Sequence, residues 1–153
     1  MQILILNGVN LNLLGKRETS IYGLVSFDDF LVILQKKYAQ ITIDHFQSNE
    51  ESALVEQIQQ AENKYNGIIL NAGAYTHTSI AICDAIRSVT IPVIEVHISN
   101  IFARETYRKK SYLSEVCTGS ICGFGLNSYS LAIESLLLTN KIGLDITSER
   151  QLL

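Results

Sequence analysis

Short runs rich in β-branched and apolar residues recur along the chain, each separated from the next by a segment with helical spacing. Ile3–Leu6 is apolar at every position, the pattern of a strand buried on both faces. Ile41–Phe46 alternates, Ile68–Leu70 ends at Asn71, Val93–His97 follows the single proline, Pro92, and Ser120–Phe124 supplies a fifth strand. Between them, Ser26–Tyr38 reads as a helix, with Ser26 as N-cap and Phe27, Phe30, Leu31 and Leu34 on one face. Ser48 and Glu51 form a capping-box pattern that opens a second helix to about Lys64. Thr78–Arg87 is a short helix, Arg104–Arg108 a helical turn, and Asn127 caps a last helix to about Thr139. Strands alternating with helices imply a parallel sheet covered on both faces, and right-handed crossovers restrict it to a doubly wound α/β layer.

The 153 residues suit one domain, spanning 1–140, with a period-free tail at 141–153 expected to be loosely held. A (β/α)₈ barrel, which takes about 250 residues, is excluded. Apolar residues at 47% against 18% charged point to buried subunit contacts. The formal charge of −3 offers no basic stripe for a phosphate backbone, so nucleic acid is not expected as a partner. No apolar run reaches the length of a membrane span, and the N-terminus lacks the basic region of a signal peptide. The three cysteines, Cys83, Cys117 and Cys122, form no even framework and no metal-ligand spacing. Cys117 and Cys122 fall in a strand-like stretch and point to opposite faces, so reduced, buried thiols in a cytoplasmic protein are expected.

In doubly wound sheets, ligands bind beyond the carboxyl ends of the strands. The first strand ends in Asn7-Gly8-Val9-Asn10 and runs into a long loop containing Arg17 and Tyr22, which reads either as a lid or as an ordinary solvated loop. The third ends in Asn71 and leads through His77 into a helix, whose start Thr76 or Thr78 would cap. The fourth ends in Glu95-Val96-His97; the two outer residues share a strand face, so the carboxylate can hold the imidazole and raise its affinity for a proton. Arg104 and Arg108, four apart, share a helical face ahead of Lys109 and Lys110, a local positive patch suited to a small carboxylate or phosphate. Gly123-Phe124-Gly125 with Ser128 is a broken dinucleotide fingerprint, and the chain has neither a Walker A segment nor a GxSxG elbow.

The segments NGVNLNLLG, RE…IYG, NAGAYTHTS, EVHISN and ARE…R, spread in order over residues 3–139, closely resemble type II 3-dehydroquinate dehydratase of the shikimate and quinate pathways. The resemblance implies a flavodoxin-like sheet of order 2-1-3-4-5, a dodecamer built as four trimers, and dehydration of 3-dehydroquinate to 3-dehydroshikimate without metal or organic cofactor. It implies anti elimination through an enolate. By motif, Tyr22 resembles the general base and Arg17 the arginine that favours the tyrosinate. Asn10 resembles the amide that orients a water at the enolate oxygen, and His97, held by Glu95, the acid at the departing hydroxyl. Asn71, His77, Ile98, Ser99 and Arg108 match substrate-binding positions, and Asp84 resembles an acidic residue contributed by a neighbouring subunit. The family usually carries proline where this chain has Val9, and often where it has Thr19; losing both rings predicts freer loops without altered chemistry.

Other classes fit less well. A flavin or nucleotide module needs a glycine- and hydroxyl-rich cradle after the first strand, and a receiver-type signalling domain needs acidic strand ends where this chain has asparagines. A type I dehydratase would use a lysine imine, but no lysine lies inside an apolar strand. Borohydride added with 3-dehydroquinate is therefore expected to leave the protein fully active, whereas inactivation would reveal an imine.

Overall fold

The computed structural model describes residues 1–16 and 25–142. Five strands, β1 (Gln2–Asn7), β2 (Thr42–Gln47), β3 (Ile68–Asn71), β4 (Val93–His97) and β5 (Gly119–Cys122), form one parallel sheet in the order β2-β1-β3-β4-β5. The helices are α1 (Phe27–Lys37), α2 (Glu51–Ala61), α3 (Ile80–Arg87) and α4 (Asn127–Ile142). The doubly wound, flavodoxin-like expectation and its strand order are met. Residues 141 and 142 continue α4, and the rest of the tail lies outside the described residues.

The continuous apolar run in β1 has a direct structural reason. Ile3 and Ile5 face a cluster with Leu34 of α1 and Tyr129, Ile133 and Leu136 of α4. Leu4 and Leu6 face the opposite cluster, with Leu54 and Ile58 of α2 and Ile82 and Ile86 of α3. Both faces of the strand are therefore dry, and each fully buried Leu or Ile contributes about 1.5–3 kcal/mol relative to exposure.

Three local expectations are revised. Ser48 does not close a capping box: its hydroxyl accepts from the nearby Glu50 N–H at 3.0 Å, and α2 begins at Glu51 without a side-chain cap. Helix α3 is capped by Ser79, which accepts from Ile82 N at 2.9 Å, and neither Thr76 nor Thr78 takes that role. The intervening Gly73–His77 forms a 3₁₀ turn that delays the helix start. Cys117 precedes β5 in a turn, so the strand-alternation argument does not apply to it. The three cysteines form no disulfide; Cys83 and Cys117 are buried as expected, whereas Cys122 is only half-buried.

The loops after β1 and β3 touch backbone to backbone. Gly8 N donates to Asn71 O at 2.7 Å, and a Cβ on Gly8 would overlap the Ala72 carbonyl. A Cβ on Gly73, at φ +62°, would likewise crowd the Val9 carbonyl. Replacing Gly8 with alanine is expected to cost about 1–3 kcal/mol, since backbone on both sides blocks relaxation. A lowered urea midpoint with unchanged slope would show it.

Candidate active site

Among the described residues, an open cleft lies at the carboxyl ends of the strands. It is lined by the loop after β1, the 3₁₀ turn after β3 and the segment from His97 to Arg108. Asn10, Asn71, His77, His97, Ile98, Ser99 and Arg108 all line it, so most of the residues singled out in the sequence meet there. Arg17, Thr19 and Tyr22 lie outside the described residues. Asp84 is away from this cleft, exposed on α3 and paired with Arg87 at 2.8 Å.

His97 is the last residue of β4, and its Nε2–H donates to Glu95 Oε1 at 3.0 Å, as the two-residue strand spacing requires. With Nε2 committed to the carboxylate, Nδ1 is the ring nitrogen left for proton exchange with a ligand. Glu95 is almost wholly buried and accepts two further bonds, from Ser111 Oγ at 2.6 Å and Ser120 Oγ at 2.7 Å. Burial would push its carboxyl up, but the bonds from His97, Ser111 and Ser120 outweigh that and hold it below the ordinary carboxylate range. Ser120 stands directly opposite Glu95 in the β4–β5 ladder.

His77 is held by its own backbone partner. Its Nδ1–H donates to the Lys110 carbonyl at 2.6 Å, leaving Nε2 for the cleft. The His77 and His97 rings stack with centroids 6.4 Å apart and planes 15° apart. Asn71 is buried, with Oδ1 accepting from Gly73 N at 3.3 Å and Nδ2 donating to Tyr129 Oη at 2.8 Å.

Asn10 adopts the left-handed region at φ 66°, which asparagine tolerates better than most residues. Its N–H donates to Asn49 Oδ1 at 2.9 Å, and Gln47 Nε2 joins the same Asn49 oxygen to the Gly8 carbonyl. With Gly8 bonded to β3 as well, the loop around Val9 is tied at several points.

The two arginines reach the cleft by a different route from the one expected. They do not share a helical face: Arg104 is an extended residue between the 3₁₀ turns Ile101–Ala103 and Thr106–Arg108. Both guanidiniums are largely sheltered and share Glu105 Oε2, each Nε at 3.3 Å. Only the Arg104 contact is aligned as a hydrogen bond; the Arg108 contact is charge proximity. Arg104 also donates to Ser99 Oγ at 3.4 Å. Two sheltered cations beside two imidazoles, in a chain of net charge −3, suit this cleft to a small polar anion. Lys109 and Lys110 are exposed and do not line the cleft.

A family model described as dehydroquinase class II matches residues 1–137. The chain belongs to the class II dehydroquinase family. A 3-dehydroquinate dehydratase of Pelodictyon phaeoclathratiforme is 52% identical over 139 residues, covering 90% of this chain and 92% of its own length. One from Synechococcus sp. (strain CC9605) is 54% identical over 139 residues, covering 90% and 95%. The crystal structure of type II dehydroquinase from Butyrivibrio crossotus superposes with a TM-score of 0.86 at 45% identity, covering 89% of this chain and 97% of that one. Membership of this family makes the chain an enzyme of the hydro-lyase class. Among the described residues, no helix is long and apolar enough to cross a membrane.

Ser111, Ser120, Asn49 and Tyr129 were not found by sequence reasoning. Only Ser120 had a signal, its place opposite Glu95 once β4 and β5 are paired.

Glu95 gives the site a pH signature. Its carboxyl is depressed in the folded protein, so its contribution to stability is present above the ordinary carboxylate range and is lost as pH falls through the folded value. Urea midpoints measured against pH are expected to fall on the acid side, and to fall less steeply in Glu95→Gln.

Proposed function

We propose that the chain dehydrates 3-dehydroquinate to 3-dehydroshikimate by anti elimination through an enolate. The observation that carries this reading is an imidazole held by a buried carboxylate at the head of a cleft walled by two guanidiniums. A proton α to a ketone, with a hydroxyl at the β carbon, makes stepwise elimination the natural route.

Tyr22 is the base. As phenolate it takes the proton from C2, and the electron pair moves into the carbonyl to form the enolate. Arg17 favours the phenolate, because an adjacent cation stabilises the ionised form of a group whose ordinary pKa is about 10. Asn10 orients a water at the enolate oxygen. When the enolate collapses, the C1–O bond breaks and His97 delivers a proton through Nδ1, so the hydroxyl leaves as water while Glu95 steadies the ring. Arg108, with Arg104 beside it, offsets the substrate's negative charge. Asn71, His77, Ile98 and Ser99 bind its polar groups.

The working form in this reading is a cytoplasmic homododecamer of four trimers, acting without metal or organic cofactor in the shikimate pathway. Asp84 would then serve the cleft of a neighbouring copy, since in its own chain it sits apart from the cleft. Ile80, Phe102, Tyr107 and Phe124 are large, apolar and exposed in the single chain, in keeping with subunit contacts.

An assay following the conjugated enone product in the ultraviolet, with and without chelator, tests the reaction directly. Tyr22→Phe and His97→Ala are each expected to lower kcat by at least ~10²-fold with fold and assembly intact, as positioned acid–base groups contribute about 10²–10⁴. Near-normal turnover in Tyr22→Phe would remove it as base, and a change confined to KM in His97→Ala would make it a binding residue.

A further inference from the structure

We propose that Tyr129 is a positioning residue for the dehydration, the centre of a one-way hydrogen-bond relay that runs from the cleft to His45 and holds in place the Asn71 carboxamide that lines the cleft. The proposal rests on the dehydratase reading and assigns a role to groups behind the cleft that the reaction itself does not touch.

Tyr129 projects from α4 into the sheet and is fully buried. Its hydroxyl lies between two carboxamides at strand ends, with Asn71 Nδ2 at 2.8 Å and Asn7 Oδ1 at 2.8 Å. Asn7 Nδ2 in turn lies 3.1 Å from His45 Nε2 on β2. These groups share a sheet face because parallel pairing sets Asn7 beside Asn71 and Ile5 beside His45.

The direction of the relay follows from one donor that cannot reverse. The backbone N–H of Gly73 can only donate, and it donates to Asn71 Oδ1. Asn71 must therefore turn Nδ2 to the phenol, which accepts. The phenol's own hydrogen then goes to Asn7 Oδ1, so Asn7 offers Nδ2 to His45. At that contact the imidazole must accept, which requires a neutral ring with its proton on Nδ1.

The surroundings of His45 suit that form. Phe27 of α1 lies against its ring, with centroids 4.4 Å apart, and also packs against Tyr129 at 5.1 Å. Burial disfavours the charged imidazole, and the Asp28 carboxylate on α1 opposes this without overcoming it. Asp44, next on β2, is engaged elsewhere with Tyr65 and Lys64, and β1 brings only Asn7.

Protonating His45 would set an N–H against the Asn7 N–H. Asn7 would have to turn over, and the phenol, still accepting from Asn71, would face a second N–H with its own buried hydrogen left unpaired, a strain passed to its contact with Asn71. Substrate affinity should therefore weaken as pH falls through the titration of His45, a residue that does not line the cleft.

The test is steady-state kinetics on the full chain with 3-dehydroquinate, with wild-type turnover measured first. Its absence overturns the dehydratase reading. Given turnover, Tyr129→Phe is expected to raise KM about tenfold with kcat changed by less than about threefold, the pattern of lost ground-state binding. Wild-type KM in that variant, or a loss confined to kcat, would overturn the relay. His45→Gln retains an acceptor oxygen but cannot titrate, so the rise of KM toward acid pH should flatten relative to wild type. An acid limb identical to wild type would overturn the relay even if Tyr129→Phe did not fold.

Discussion

A carboxylate withdrawn from water is tolerated only when its lone pairs are met, and the interior of this sheet is arranged around that requirement at Glu95. The side chain lies on an otherwise apolar strand, β4, and its oxygens accept from His97, Ser111 and Ser120. Ser120 comes from the neighbouring strand and Ser111 from the loop that leads to it, so the position of β5 and the orientation of one imidazole are set by the same charge. Removing the acid would leave three donors pointing at nothing. Fold and site therefore depend on a common interaction.

Parallel pairing decides the rest of the geometry. Asn7 and Asn71 are register partners on the face covered by α1 and α4, whereas Glu95 and His97 lie on the face covered by α2 and α3. Beyond the strand ends, side chains from both faces converge on one cleft. A ligand bound there is met by neutral amides from one layer and by the Glu95–His97 pair from the other. The two kinds of chemistry are separated by the thickness of a sheet and do not compete for hydrogen bonds.

The elements that could be read from sequence are those fixed by local pattern. The double-sided run in β1, the Ser26 cap, which accepts from Asp29 N at 3.2 Å, and the Glu95–His97 spacing each depend on residues a few positions apart. The strand order and the remaining cleft residues came from resemblance of motifs. What escaped depends on distant pairings: Asn49 reaches back to Asn10, and Tyr129 comes from the last helix to meet the first strand. The Ser48–Glu51 box failed because the serine hydroxyl found a nearer N–H at Glu50. The arginine pair was rightly placed in a positive patch, but two short turns, not one helix, deliver it to the cleft.

The contact between Gly8 and Ala72, with Gly73 against Val9, interlocks two main chains where the loops after β1 and β3 meet. Neither Gly8 nor Gly73 has room for a Cβ, so these two positions offer little to an engineer seeking to admit a bulkier ligand. The wall from Ile101 to Arg108 is built of short turns with few main-chain ties. Directed evolution toward new substrates should find its productive changes in that wall and leave the glycines untouched.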